Sequence, residues 1–230
     1  YAEIRRVLAE KGIGSQLLLE HVHRDVLRVL EQAEYLGQRY QVVVANPPYM
    51  GSSGMNGRLG AWVKDCYPDS KSDLFSVFIE RNLDLVAKQG FVGMITMQSW
   101  MFLSSFEKLR SHLLNNKTLT SMAHLGPRAF DSIGGEVVST TAFVLENAPH
   151  CELKGDFLRL VDGSSEADKD RMLREAVRNP ESDWYHRTAS ADFQKVPGSP
   201  IAYWITERAR DTFVQFPKIS SISTSAVGQN

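Results

Sequence analysis

Cysteine is scarce in this 230-residue chain, and neither sign of charge dominates it. The two cysteines, Cys66 and Cys151, form no CxxC pair and no Cys/His spacing. That pattern argues against a disulfide framework and against a structural zinc site. Both thiols read as reduced structural residues of an intracellular protein, and no metal is assigned. No run of about 18 apolar residues occurs, so no membrane-spanning helix is expected. The opening Tyr1-Ala2-Glu3-Ile4-Arg5-Arg6 has no initiator Met and no apolar signal core. The last residues, 225–230, offer no packing element either, and the chain reads as a piece of something longer. The net charge of −1 gives no global pull toward a polyphosphate. It excludes a simple basic DNA-coating domain and leaves open a catalytic domain with local phosphate contacts.

What is present is an alternation of helical and strand patterns. Within 15–38, Leu19, Val22, Val26, Leu30 and Ala33 recur at helical spacing between charges, which predicts an amphipathic helix with Gly37 near its end. Residues 41–45 are apolar and β-branched and read as a buried strand. Residues 50–72 are rich in Gly and Ser and read as a long functional or mobile loop. A second amphipathic helix is expected over 73–88, with Ser72 or Asp73 as N-cap and Gly90 as its stop. Strands are expected at 91–96, 118–125 and 137–146, and a helix at 106–115. The first three strands with their crossover helices suggest parallel pairing, and the fourth, lacking a crossover helix, an antiparallel one. This is an α/β class. After 146 the composition changes: a short polar helix is expected over 168–178, then irregular chain with turn-prone Pro197-Gly198-Ser199-Pro200. The expected division is 1–150 for the catalytic part and 151–230 for a connector toward a further domain.

The stretch that carries chemistry is Asn46-Pro47-Pro48-Tyr49. Two prolines stop the strand at 45 because neither donates a backbone hydrogen bond. The tetrapeptide is thus a stiff loop at the carboxyl end of a strand, the edge where open α/β sheets bind ligands. An amide at one end and an aromatic ring at the other suit a planar, amino-bearing substrate.

The run 42–49 resembles the catalytic motif of the S-adenosylmethionine-dependent amino-methyltransferases, typically [DNS]PP[YF] in the DNA adenine-N6 branch. Lys71-Ser72-Asp73-Leu74-Phe75 resembles the helix start that follows in large restriction-type adenine methyltransferases. Residues 90–96 with Trp100 resemble their next strand, and Phe130 with 137–145 their closing hairpin. Residues 49–56 and the segment around 197–204 are most similar to the BREX phage-defence adenine methyltransferases (the PglX-like family). The resemblance spans the whole chain as an internal piece of a longer protein. It implies a partial Rossmann-like methyltransferase sheet, its catalytic half, with an irregular C-terminal connector. It implies S-adenosylmethionine as cofactor, double-stranded DNA and other phage-defence proteins as partners, and a bacterial cytoplasmic setting. Asn46, Pro47 and Pro48 would form the catalytic loop, Tyr49 would stack on the flipped base, and Phe130 would pack on its other side or edge. Lys71, Arg58 and Lys64 are candidate DNA contacts, each readable also as a solvated charge, and Trp100 reads as a core or loop anchor. The family's glycine-rich cofactor loop has no counterpart here, since Gly12-Ile13-Gly14 lacks the strand and the acid. No cofactor-binding residue is therefore assigned, and the piece alone is expected to be inactive. Two other functions fit the motif: glutamine-N5 methylation of protein, which also uses NPPY, and a non-catalytic module that binds DNA or a partner.

Overall fold

The computed structural model describes residues 2–10, 17–130 and 138–216. The chain forms two compact units, Tyr1–Tyr40 and Gln41–Asn230. The first holds helices α1 (Ala2–Glu10) and α2 (Leu17–Gly37). The helical period seen in the sequence is realised in α2, and Arg5 pairs with Glu34 across the two helices at 3.1 Å. The valines of the stripe, Val22 and Val26, are exposed.

The second unit is built on a six-stranded mixed sheet in the order β1-β2-β4-β3-β5-β6. Strand β1 (Tyr40–Ala45) lies at one edge and β2 (Val86–Met97) beside it. Strand β4 (Thr140–Glu146) runs antiparallel to β2 and to β3 (Thr118–Gly126), as expected for a strand reached without a crossover helix. Helices α4 (Leu74–Leu85) and α5 (Glu107–Asn116) carry Phe75, Ile79, Leu83, Leu109 and Leu113 into the main core. They meet Val92 and Met94 of β2, Met122 of β3 and Phe143 of β4 on one face of the sheet.

Six expectations change. Strand β1 is an edge strand with Val42 and Val44 exposed, not a buried one. Strands β2 and β3 run the same way but do not pair, because β4 lies between them. Within 50–72 lies a helix, α3 (Gly57–Cys66), capped by the Asn56 side chain on Leu59 N–H. Gly90 does not end α4; β2 begins at Val86 directly after the helix, with Gln89 in a left-handed conformation at φ 61°. The chain after 150 is not irregular: β5 (Lys154–Arg159) pairs in parallel with β3, and β6 (Tyr185–Ala189) pairs antiparallel with β5. The sheet thus runs across the boundary drawn at 150. Helix α6 (Glu166–Arg178) matches the expected polar helix, and the short α7 (Ser190–Gln194) and α8 (Glu207–Gln215) follow β6. Finally, Cys66 and Cys151 are free but exposed, so neither packs in the core.

The other face of the sheet carries an open trough of about 700 Å³. Val44, Ile95, Ser121, Ala123, Val144 and Leu158 line it, with Asn46 among the lining residues. Among the described residues of this unit, only Val177 and Pro180 from the α6 region line the trough from outside the strands and their ends.

Candidate active site

Strands β1 and β2 are neighbours. A Cβ on Gly90 would meet Gln41 O at 2.6 Å, and one on Gly93 would meet the Val44 side chain at 3.8 Å, so the same register holds at both points. With β3 antiparallel to β4 and β4 antiparallel to β2, the carboxyl ends of β2 and β3 reach one edge. Asn46-Pro47-Pro48-Tyr49 leaves the end of β1. Pro47 is buried, Asn46 and Pro48 are exposed, and Tyr49 is half-buried. Buried Pro47 anchors the loop while the Asn46 amide stays open to a ligand. The Tyr49 ring stands edge-on to Phe75, 6.2 Å between centroids at 84°. One ring edge is thereby fixed against the core, and burial pushes the Tyr49 phenol pKa upward.

The far side of the loop is fastened by one carboxylate. Asp73 Oδ1 accepts from Met50 N–H at 2.9 Å and from Phe75 N–H at 3.3 Å, capping α4 with the same oxygen that holds the loop. Leu74 N–H donates to Met50 O and Ser52 N–H to Ser72 O, and Gly51 bridges Asp73. The excursion 51–73 is thus closed at its stem. Arg58 and Lys64 lie exposed on α3, and Lys71 is exposed before Asp73. Trp62, half exposed, packs edge-on against Tyr67 on the same excursion. Trp100 is core: 1% exposed and packed on Phe143. Phe130 is half-buried, and among the described residues no ring contact joins it to Tyr49. Of the hairpin taken with it, 131–137 lie outside the described residues.

Sequence reasoning missed a polar relay on the same edge. His124, at the end of β3, is 5% exposed. Its Nε2 faces Gln98 Oε1 at 2.6 Å and its Nδ1 faces Tyr203 Oη at 2.9 Å. Burial, followed by the Arg159 and Lys169 charges, depresses its pKa to about 4. The ring is therefore neutral near pH 7. A carbonyl oxygen on Nε2 requires the proton there, which makes Nδ1 the acceptor for Tyr203 O–H. Gln98, His124 and Tyr203 come from three separate segments, and no local pattern links them. Lys169 also acts here: its Nζ donates to Leu125 O and Leu160 O, at 2.7 and 2.9 Å. Among the described residues no group of three His, Cys, Asp or Glu could hold a metal ion.

A stiff Pro-Pro loop with an exposed amide, at the carboxyl edge of a mixed sheet, also agrees with the relatives of this chain. The family profile described as Eco57I restriction-modification methylase matches residues 17–130. The chain is 45% identical over 206 residues to the adenine-specific methyltransferase BrxX of Escherichia coli O9:H4 (strain HS), covering 90% of this chain and 17% of that protein. It is 45% identical over 210 residues to the adenine-specific methyltransferase PglX of Lacticaseibacillus casei (strain Zhang), covering 89% of this chain and 17% of that protein. The chain belongs to the BrxX/PglX methyltransferase family. It spans only 17% of the length of these relatives. A chain of a type I restriction-modification system shares the fold, with TM-score 0.52 at 19% identity over 80% of this chain and 41% of that one. A modification subunit assigned to a type I restriction enzyme of Vibrio vulnificus YJ016 does so as well, with TM-score 0.53 at 11% identity over 78% and 40%. Within the BrxX/PglX family, this chain supplies the proline-stiffened tetrapeptide and its Asp73 fastening.

Proposed function

We propose that this chain is the amine-holding part of a longer enzyme that methylates adenine N6 in double-stranded DNA. The observation that carries the proposal is the exposed Asn46 amide on a proline-stiffened loop at the carboxyl end of β1. Adenine N6 is a weak nucleophile because its lone pair is delocalised into the ring. The Asn46 side-chain carbonyl and the Pro47 backbone carbonyl each accept a hydrogen bond from the amino group. Both bonds favour a tetrahedral nitrogen and free its lone pair for attack. The rest of the rate comes from positioning. A base inside a duplex is stacked out of reach, so it is flipped out. Tyr49 then stacks on it, worth roughly 1–3 kcal/mol. Arg58, Lys64 and Lys71 are the candidate phosphate contacts, and Phe130 a candidate second wall for the base.

S-adenosylmethionine is the methyl donor of this reading, but the residues present do not by themselves fit it. Strand β1 is the edge of the sheet, so among the described residues no further strand of this unit flanks Asn46. No glycine-rich turn with a following acid leaves a described strand. Residues of the longer protein hold the donor. The likeness to BrxX and PglX supports a role in marking host DNA during phage defence, in a bacterial cytoplasm and alongside other defence proteins.

The test is N6-methyladenine formation on plasmid DNA by the full-length protein and by its Asn46→Ala form. Asn46→Ala is expected to lower the rate by about 10²–10³-fold, the loss seen when one aligned polar group is removed from a reacting centre. An unchanged rate sinks the role of Asn46. Methylated glutamine without methylated base would move the substrate from DNA to protein.

A further inference from the structure

We infer that Gln98 is a base-reading residue of the same site, its amide NH2 aimed at a ring nitrogen of the flipped base by His124 and Tyr203. The inference rests on the proposed adenine-methylating function and adds a contact to it.

Three observations converge. The first is position. The register fixed at Gln41/Gly90 and Val44/Gly93 puts Asn46 level with Ile95, and Gln98 leaves the same carboxyl edge just beyond the end of β2. Adjacent strands lie about 4.8 Å apart, so the backbone at Gln98 leaves the sheet next to the loop at 46–49, with its side chain turned across β4 toward His124 of β3. The second is orientation. Gln98 N–H donates to Ser139 O at 2.9 Å, which fixes the backbone, and Oε1 sits 2.6 Å from His124 Nε2, which fixes the side chain. His124 is itself fixed by Tyr203 at 2.9 Å, and Tyr203 is 2% exposed, its ring stacked on Phe157 at 5.0 Å and 15°. Held at its oxygen, this half-buried glutamine has its NH2 turned away from the ring. The third is vacancy of role. Among the described residues no acceptor is recorded against that NH2.

The chemistry fits one side of an adenine. Its exocyclic amine is a donor, met by the acceptors of Asn46 and Pro47. The ring nitrogens N1 and N7, which flank that amine, are acceptors and require a donor. Gln98 supplies one from the strand next to β1. Gln98 is then the contacting group, whereas His124 and Tyr203 are positioning residues that act through it.

The test uses the full-length protein and DNA carrying adenine, 1-deazaadenine or 7-deazaadenine at the target. Gln98→Ala and Gln98→Glu remove the donor, and the latter keeps the length and an oxygen for His124. Both are expected to lower kcat/KM on adenine by roughly 10–100-fold, the loss from leaving one aligned polar partner unmet. Wild type is expected to discriminate against one of the two deaza bases, and both variants to lose that discrimination. Tyr203→Phe, which frees the relay, is expected to reproduce part of the loss in kcat/KM with discrimination weakened. If wild type methylates adenine but the Gln98 variants match it in kcat/KM, the inference is overturned. The same holds if discrimination is absent in wild type or persists in the variants. If wild type makes no N6-methyladenine at all, it is the functional proposal that fails.

Discussion

The tetrapeptide on β1 and the His124 cluster on β3 stand on one edge of one sheet, yet they are held rigid by different means. Asn46 is exposed, and its stiffness comes from covalent geometry, two prolines and one buried ring, with Asp73 fastening the loop beyond. His124 is buried, and its stiffness comes from packing and hydrogen bonds to Gln98 and Tyr203, inside a wall of Phe157, Phe193 and Trp204. A group that must meet a substrate cannot be fixed by burial. Backbone chemistry supplies order there without covering the amide. Where no substrate has to enter, burial supplies it more strongly.

The contrast breaks first at Arg110. Its guanidinium donates to Trp100 O, Leu103 O and Gly198 O at 2.6–3.2 Å and ties the turn after β2 to the turn before 201. Arg110→Leu removes the side-chain donor from three carbonyls, of which Leu103 O keeps Phe106 N–H, and is expected to cost about 3–5 kcal/mol in urea unfolding. A loss below about 1 kcal/mol would mean that packing alone holds this side. Next is the pH response of His124. Its folded pKa of about 4 lies below the ordinary 6.5. The unfolded chain therefore binds the proton more readily, and the stability that His124 contributes is complete above about pH 6.5 and falls as pH drops toward 4. The loss is on the order of 3 kcal/mol at most, and His124→Gln is expected to flatten the slope of unfolding free energy against pH in that window. Tyr49→Ala comes third. It is expected to weaken DNA binding by roughly 1–3 kcal/mol, with Tyr49→Phe near wild type, because stacking needs the ring and not the hydroxyl. A large Tyr49→Phe defect would assign the hydroxyl a role of its own. The smallest effect is that of Asp73→Ala, about 1 kcal/mol of stability from the lost helix cap. Its sharper readout is kinetic: kcat should fall while unfolding barely shifts, since the loop beside Tyr49 loses its fastening.

The sequence made some of this legible and hid the rest for physical reasons. Strand β1 announced itself through Val42-Val43-Val44 followed by Pro-Pro, although it is an exposed edge strand and not the buried one expected; α5 and β3 announced themselves through plain periodicity, because local preference and tertiary role agree there. Strand β5, Lys-Gly-Asp-Phe-Leu-Arg, carries little strand composition. It exists because β3 offers a partner, and Gly155 lets the strands close up: a Cβ there would meet Leu119 O at 2.3 Å. Helix α3 was masked by Gly57 and Gly60, poor helix formers, and is rescued by the Asn56 cap and by burying Val63 against Tyr67 and Val77. The Gln98–His124–Tyr203 relay had no sequence signal, because its members come together only when residues 201–204 return to the sheet. The tetrapeptide could be read because its rigidity is written in the residues themselves.

The closed stem at Gly51 and Asp73 has an evolutionary consequence. What lies between its two ends, α3 with Arg58, Trp62 and Lys64, is tied back by the stem and by Val63 packed on Val77, and its other face is exposed. Lengthening a flexible loop costs little, about 0.6 kcal/mol per doubling. The exposed face of the segment is therefore a replaceable cassette: descendants can recharge or extend it there without disturbing Asn46 or the stem. A chemistry that stays fixed can in this way acquire new surroundings by insertion.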